Sequence, residues 1–168
     1  MNHTRGRERS VVFLDDKMAV NVGAGDFDSS YGLTRHLNCL QDQNRHTRRR
    51  ALEAIRNELF SAGQTNDRVA PECGVVETVI RPLLRAFSDP VEKCRELAIL
   101  TVGELMESTQ EPSSLLQCVI PTLVQSLAQP QITEPSEELR LKLVQLMHSI
   151  VQRCGVHVAP YLHDLVQH

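Results

Sequence analysis

A helical hairpin written twice is the feature that most restricts this chain. The first copy runs Val79-Ile80-Arg81-Pro82-Leu83-Leu84-Arg85-Ala86-Phe87-Ser88-Asp89-Pro90 and continues Val91-Glu92-Lys93-Cys94-Arg95-Glu96-Leu97-Ala98. The second runs Val119-Ile120-Pro121-Thr122-Leu123-Val124-Gln125-Ser126-Leu127-Ala128-Gln129-Pro130 and resumes at Ser136-Glu137-Glu138-Leu139-Arg140-Leu141-Lys142-Leu143. The first helices align 40 residues apart and the second helices 45, so the second copy has a longer turn. Self-similarity at about 40 to 47 residues, with two helices per unit, predicts an α-solenoid. A lone hairpin cannot bury its own apolar stripe, and stacking on neighbours closes a continuous core. The expectation is therefore all-α: an α-α superhelix of about three and a half helical hairpins, built to hold other proteins.

The rest of the chain extends that pattern. Residues 1–28 mix charge with Gly23, Gly25, Asp26 and Asp28 and show no sustained period, which predicts a disordered tail. The array is expected over 29–168, with hairpins at about 29–62, 72–109 and 112–155 and the start of a fourth at 158–168. Leu33, Leu37 and Leu40 form the first stripe at helical spacing; Leu52, Ile55 and Leu59 form the second. Gly63 and Gly155 mark helix stops. Pro82 and Pro121 sit at nearly matching places inside first helices, where each removes a backbone donor. The last helix begins without a partner, so the chain reads as the N-terminal piece of a longer array.

Composition narrows the function classes. Hydrophobic residues make up 41% of 168 positions but aromatics only 4%, so the core must be aliphatic. A net charge of −3 gives no general electrostatic case for nucleic acid or a membrane surface. No apolar run reaches the 18 residues of a spanning helix. The five cysteines are odd in number and carry no Cys-x-x-Cys, which fits a reducing compartment and a cytoplasmic setting. His157 and His163 lie six apart, not on one helix face, and Gly23-Ala24-Gly25 lacks the context of a phosphate loop. No nucleophile, base and orienting group fall together. We therefore expect no enzyme activity, no cofactor, no metal and no small-molecule substrate.

The stretch from Phe87 to Ala98 resembles the turn and second helix of the HEAT-repeat family. Asp89 stands where that family places a turn acid, and Arg95 where it places an arginine early in the second helix. The resemblance implies that this arginine is a ladder residue pairing with turn acids of its own or a neighbouring repeat. Arg95 and Arg140 occupy the position and Arg50 is aligned with it. In the third hairpin Gln129 replaces the turn acid, and Glu134 in the longer turn can substitute. A more specific likeness is carried by Arg48-Arg49-Arg50-Ala51-Leu52-Glu53-Ala54-Ile55-Arg56, by Glu134-Pro135-Ser136-Glu137-Glu138-Leu139-Arg140-Leu141 and by Ala159-Pro160-Tyr161-Leu162. These resemble the HEAT-repeat axonemal dynein assembly factors. That resemblance implies a cytoplasmic, non-catalytic scaffold for inner and outer dynein arms of motile cilia. It also implies binding to dynein intermediate chains and to chaperone-associated assembly factors.

Two other readings remain open on sequence alone. One is a generic HEAT or armadillo-type scaffold for transport, phosphatase or tubulin partners. The other, ranked below it, is a nucleic-acid-binding helical protein using the basic run at Arg45 to Arg50. Within that run Arg48 and Arg49 are the candidate patch for an acidic partner, though no aromatic residues interleave with them for base stacking. Glu92, Glu96, Glu104, Lys142 and Gln145 are the expected exposed positions if second helices line the binding face.

Overall fold

The computed structural model describes residues 26–60, 71–127 and 134–163. Six α-helices run through them: α1 (Asp26–Cys39), α2 (Arg45–Phe60), α3 (Cys73–Arg85), α4 (Glu92–Ser108), α5 (Leu116–Leu127) and α6 (Glu137–Cys154). Short 3-10 turns close α3 (Ala86–Ser88), open α5 (Pro112–Leu115) and follow α6 (Gly155–Tyr161). No strand occurs among the described residues. The architecture is the expected all-α repeat solenoid. α1 begins at Asp26, three residues inside the expected tail. The remainder of that tail, the Gly23-Ala24-Gly25 candidate, the Gly63 stop, most of the long turn from Gln129 and the chain after His163 lie outside the described residues.

The helices pair as α1/α2, α3/α4 and α5/α6, and the pairs lie side by side in chain order. Second helices stack α2 on α4 on α6, while α3 packs on α5. The cause is the placement of apolar residues. α3 turns Val76, Val79, Ile80, Leu83 and Leu84 inward, and α5 turns Leu116, Val119, Ile120 and Leu123 inward. α4 is buried on more than one face, through Cys94, Leu97, Ala98, Ile99, Thr101, Val102, Leu105 and Met106, because α2, α3 and α6 all pack on it. A fully buried Leu or Ile contributes roughly 1.5–3 kcal/mol, so this aliphatic core needs no tryptophan. Pro82 and Pro121 are both carried inside their helices.

The helix entries are built in three different ways. Asn44 caps α2: its Oδ1 accepts the His46 N–H at 2.9 Å. Asp89 does not cap α4 directly. The residue flanking α4 is Val91, whose N–H donates to Asp89 Oδ1 at 2.8 Å. Ser136 does flank α6, but its hydroxyl reaches Glu92 Oε1 at 3.2 Å in place of the helix N–H groups. At the other end Gly155 takes φ +50°, and the chain leaves α6 there. Val158 in the following 3-10 turn is buried, and that turn packs back on α6.

Candidate protein-binding surface

Three acids in the turns between paired helices set the geometry of the stack. Asp42, Asp89 and Glu134 each sit six residues ahead of an arginine: Arg48, Arg95 and Arg140. Each carboxylate accepts the backbone N–H two residues on, from Asn44 at 2.7 Å, Val91 at 2.8 Å and Ser136 at 2.9 Å. Each arginine donates Nη1–H to a turn carbonyl of its own repeat. The acceptors are Asp42 O at 2.9 Å, Asp89 O at 2.8 Å and Glu134 O at 3.0 Å. This backbone anchor points the other edge of the guanidinium at the next repeat. Arg48 donates Nε–H and Nη2–H to the two oxygens of Asp89 at 2.6 and 3.0 Å. Arg95 does the same to Glu134 at 2.7 and 2.9 Å. Parallel two-point contacts of this kind are strong and directional.

These joints are largely dry. The Arg95 and Glu134 side chains are 10% and 3% exposed, and Arg48 and Asp89 are 12% and 8%. Burial pushes the Asp89 carboxyl up, but the Arg48 guanidinium and the Val91 N–H outweigh it and hold the group below the usual carboxylate range. Their hydrogen bonds to Asp89 and Glu134 hold Arg48 and Arg95 firmly protonated, above the usual arginine value. Burial pushes the Cys94 thiol up, so this residue behaves as core.

The sequence expectations divide accordingly. Arg95 and Asp89 lie in the joints, and Arg140 holds the matching place in the third repeat. Arg48, expected in the open patch with Arg49, is the arginine of the first joint. Arg50, expected in the ladder, is exposed, and its side chain makes no hydrogen bond or ion pair with another described residue. The reason is helix phase. Arg50 was aligned with Arg95 on the 45-residue repeat, but the first two repeats are offset by 47. The six-residue spacing from turn acid to arginine, present twice elsewhere, was the signal that selects Asp42 and Arg48. Arg49 is exposed and pairs along its own helix with Glu53 at 2.9 Å. Of the three consecutive arginines, Arg49 and Arg50 are thus open and Arg48 is withdrawn.

The second-helix positions expected to meet partners are also partly occupied. Lys142 donates to Glu96 Oε1 and to Glu138 Oε1, both at 2.7 Å, and Lys93 pairs with Glu96 Oε2 at 2.6 Å. Lys142 foremost, then Lys93, pulls the Glu96 carboxyl below its ordinary range. Arg56 forms a two-point pair with Glu104, one contact of which is 3.1 Å. Every inter-repeat ion pair among the described residues therefore lies on the second-helix side. Gln145 and Glu107 are exposed there, as are His148 and the apolar Leu141, Val144 and Val151. His148 lies one turn from Val144 on the outer face. Among the described residues there is no cluster of His, Cys, Asp or Glu able to hold a metal ion. None of their helices is long and apolar enough to cross a membrane.

Comparison with known proteins gives this surface a context. A family described as "Dynein axonemal assembly factor 5-like, TPR repeats" matches residues 39–168. Dynein axonemal assembly factor 5 of Xenopus laevis is 43% identical over 140 residues, covering 83% of this chain and 16% of that protein. The Homo sapiens protein of the same name is 37% identical over 142 residues, covering 82% of this chain and 17% of its own length. The Mus musculus protein is 38% identical over 140 residues, covering 80% and 16%. The chain thus spans about a sixth of the length of these relatives. No solved structure matches it. The family description gives the repeats as TPR, whereas the turn acids and arginines resemble HEAT. The arginines recur here at 47 and 45 residues, the HEAT and armadillo period and not the 34 of TPR units.

Proposed function

The chain belongs to the dynein axonemal assembly factor 5-like helical-repeat family, and from that premise we propose that it is a non-catalytic scaffold for building axonemal dynein arms. It works in the cytoplasm, before the arms reach the axoneme of motile cilia. Its clients are dynein intermediate chains, and chaperone-associated assembly factors work beside it. It needs no cofactor and turns over no substrate.

The observation that carries this reading is the family match across residues 39–168, joined to a stack whose repeats are held to one another by charged joints. A scaffold must hold its shape while a client comes and goes. Buried two-point joints such as Arg95 with Glu134 supply fixed stacking geometry without chemistry. What remains for clients is a distributed, mixed surface: Arg49 on α2, Glu107 on α4 and Gln145 on α6 on one side, with Glu77 and Arg85 of α3 on the other. Such surfaces bind by shape and many modest contacts.

The test is co-precipitation of the chain from ciliating cells. Dynein intermediate chain should be enriched over an unrelated helical-repeat protein of similar size. Equal recovery on both baits would overturn the reading.

A further inference from the structure

The first helices of the stack do not meet alike. α3 packs on α5, whereas α1 rests on α2 and meets α3 more sparsely. No described residue of α1 is buried, and Leu33 and Leu37 are only partly covered. Between the end of α1 and the end of α3 a cleft of about 170 Å³ remains. Leu40, Pro82 and Ala86, each half-buried, form its apolar wall. The paired side chains of Arg48 and Asp89 also border it. Three further polar side chains converge there: Gln41, Arg85 and Ser88. All three are exposed, and none of these side chains makes a hydrogen bond or ion pair with another described residue. Arg81, one turn before Arg85 on the same helix face, is exposed and equally unpaired. Gln41 also borders a second hollow, of about 520 Å³, whose wall carries the exposed Arg35. The acid in that wall is Asp42, which already accepts the Asn44 N–H.

We propose that this cleft docks a short extended segment of a partner protein, in which an aliphatic side chain stands next to a carboxylate. Size selects the first part. A cleft of about 170 Å³ has room for about six waters, well below the roughly 300–1,000 Å³ of small-molecule sites. It takes one aliphatic side chain, against Leu40, Pro82 and Ala86. Charge selects the second part. Asp89 is neutralised by Arg48, so the charge left over at the cleft is the cation of Arg85. An arginine fork takes a carboxylate in two parallel bonds. Gln41 offers an amide N–H and a carbonyl, and Ser88 a hydroxyl, so the pair can serve both backbone groups of an extended segment. A segment seated there touches Gln41 beyond α1 and Arg85 of α3, and so ties together two first helices that meet only sparsely. A second copy of this chain does not supply the pattern. Its exposed aliphatic residues Leu141, Val144, Val151, Val156 and Leu162 have no acid immediately beside them in sequence. The inference goes beyond the scaffold reading and does not rest on it, since it assigns the chemistry of the bound segment and not its owner.

The test titrates the full chain into a labelled peptide and follows fluorescence anisotropy. The peptide carries one leucine followed by one glutamate in a glycine–serine background. Saturable binding is expected. Arg85→Gln should weaken it at least tenfold. Glutamine in place of the peptide's glutamate should cost the same factor, with no further loss when the two changes are combined. Glycine in place of the leucine should also cost at least tenfold. A peptide with lysine for glutamate should bind Arg85→Glu better than it binds the parent. Arg50→Gln removes an exposed, unpaired arginine that does not line the cleft, and should leave binding unchanged. Circular dichroism of each variant checks that the helices are intact. Absence of saturable binding would overturn the proposal. Equal losses from Arg50→Gln and Arg85→Gln would do the same, by showing general charge attraction. Self-association of the chain that Arg85→Gln abolishes would give the cleft to a second copy, against the proposal. None of these outcomes alters the recovery of dynein intermediate chain, so the two readings fail separately.

Discussion

Arg95 grips Glu134 with both ends of its guanidinium edge, across 39 residues of sequence and inside a site that water barely reaches. Its third nitrogen is tied to the Asp89 carbonyl. One side chain therefore fixes the entry of its own helix and the position of the next repeat.

Glu134→Ala should be one of the most damaging polar changes in the chain. Breaking a buried pair leaves an uncompensated charge and costs about 3 kcal/mol or more. Urea unfolding should show the loss as a lower midpoint at unchanged slope. The double change Arg95→Met plus Glu134→Leu should recover most of it, because removing both charges also removes their desolvation cost. A double variant no better than Glu134→Ala would show that the joint acts through shape alone.

Acid should loosen the stack at the same places. Asp89 and Glu96 both have folded-state pKa values held below their unfolded values. Their contribution is fully present above the unfolded value of about 4 and is lost as pH falls through the lower folded value. Stability should be flat from neutral pH to about 5 and then decline. Asp89→Asn should start lower at pH 7 and decline less steeply, as read from urea midpoints across the pH series.

Two glycines should respond to alanine in opposite directions. Gly103 lies inside α4, where a Cβ would meet Leu146 Cδ1 at an ordinary 3.9 Å. Gly103→Ala should raise stability by about 0.5–1 kcal/mol through helix propensity. Gly155 has open space around a Cβ but takes φ +50°. Gly155→Ala should lower stability by about 1 kcal/mol or more. Thermal melts of the two variants on either side of the parent check both signs.

Leu143 is 1% exposed at the centre of the inward face of α6. Leu143→Asp buries an unpaired carboxylate and should cost about 4 kcal/mol or more. Unfolding at the parental temperature would show that the helix face had been assigned wrongly.

How much of this was legible depends on what each residue's role rests on. Helical period is local, so the inward stripe Leu52, Ile55 and Leu59 of α2 could be read directly. Turn chemistry was half legible. Glu134 could be named as the stand-in for a missing turn acid because the longer loop brings it back to the helix entry. The choice between Arg48 and Arg50 could not be made from one aligned pair, since three consecutive arginines sit at different angles round α2. The six-residue spacing from Asp42 separates them in sequence, and the contact of Arg48 with Asp89, 41 residues away, separates them in space. The engagement of Glu96, Glu104 and Lys142 was hidden for the same reason: a charged residue on a helix looks solvated until its neighbour's face is placed against it.

Among the described residues the inter-repeat ion pairs lie on one side, and this has a mechanical consequence. Stitching runs along the edge formed by α2, α4 and α6, while α3 and α5 meet through the non-directional packing of aliphatic side chains. Such contacts tolerate small slides that a two-point charged contact does not. The repeats are thus bound like pages to a spine, stiff along the stitched edge and free to fan at the other.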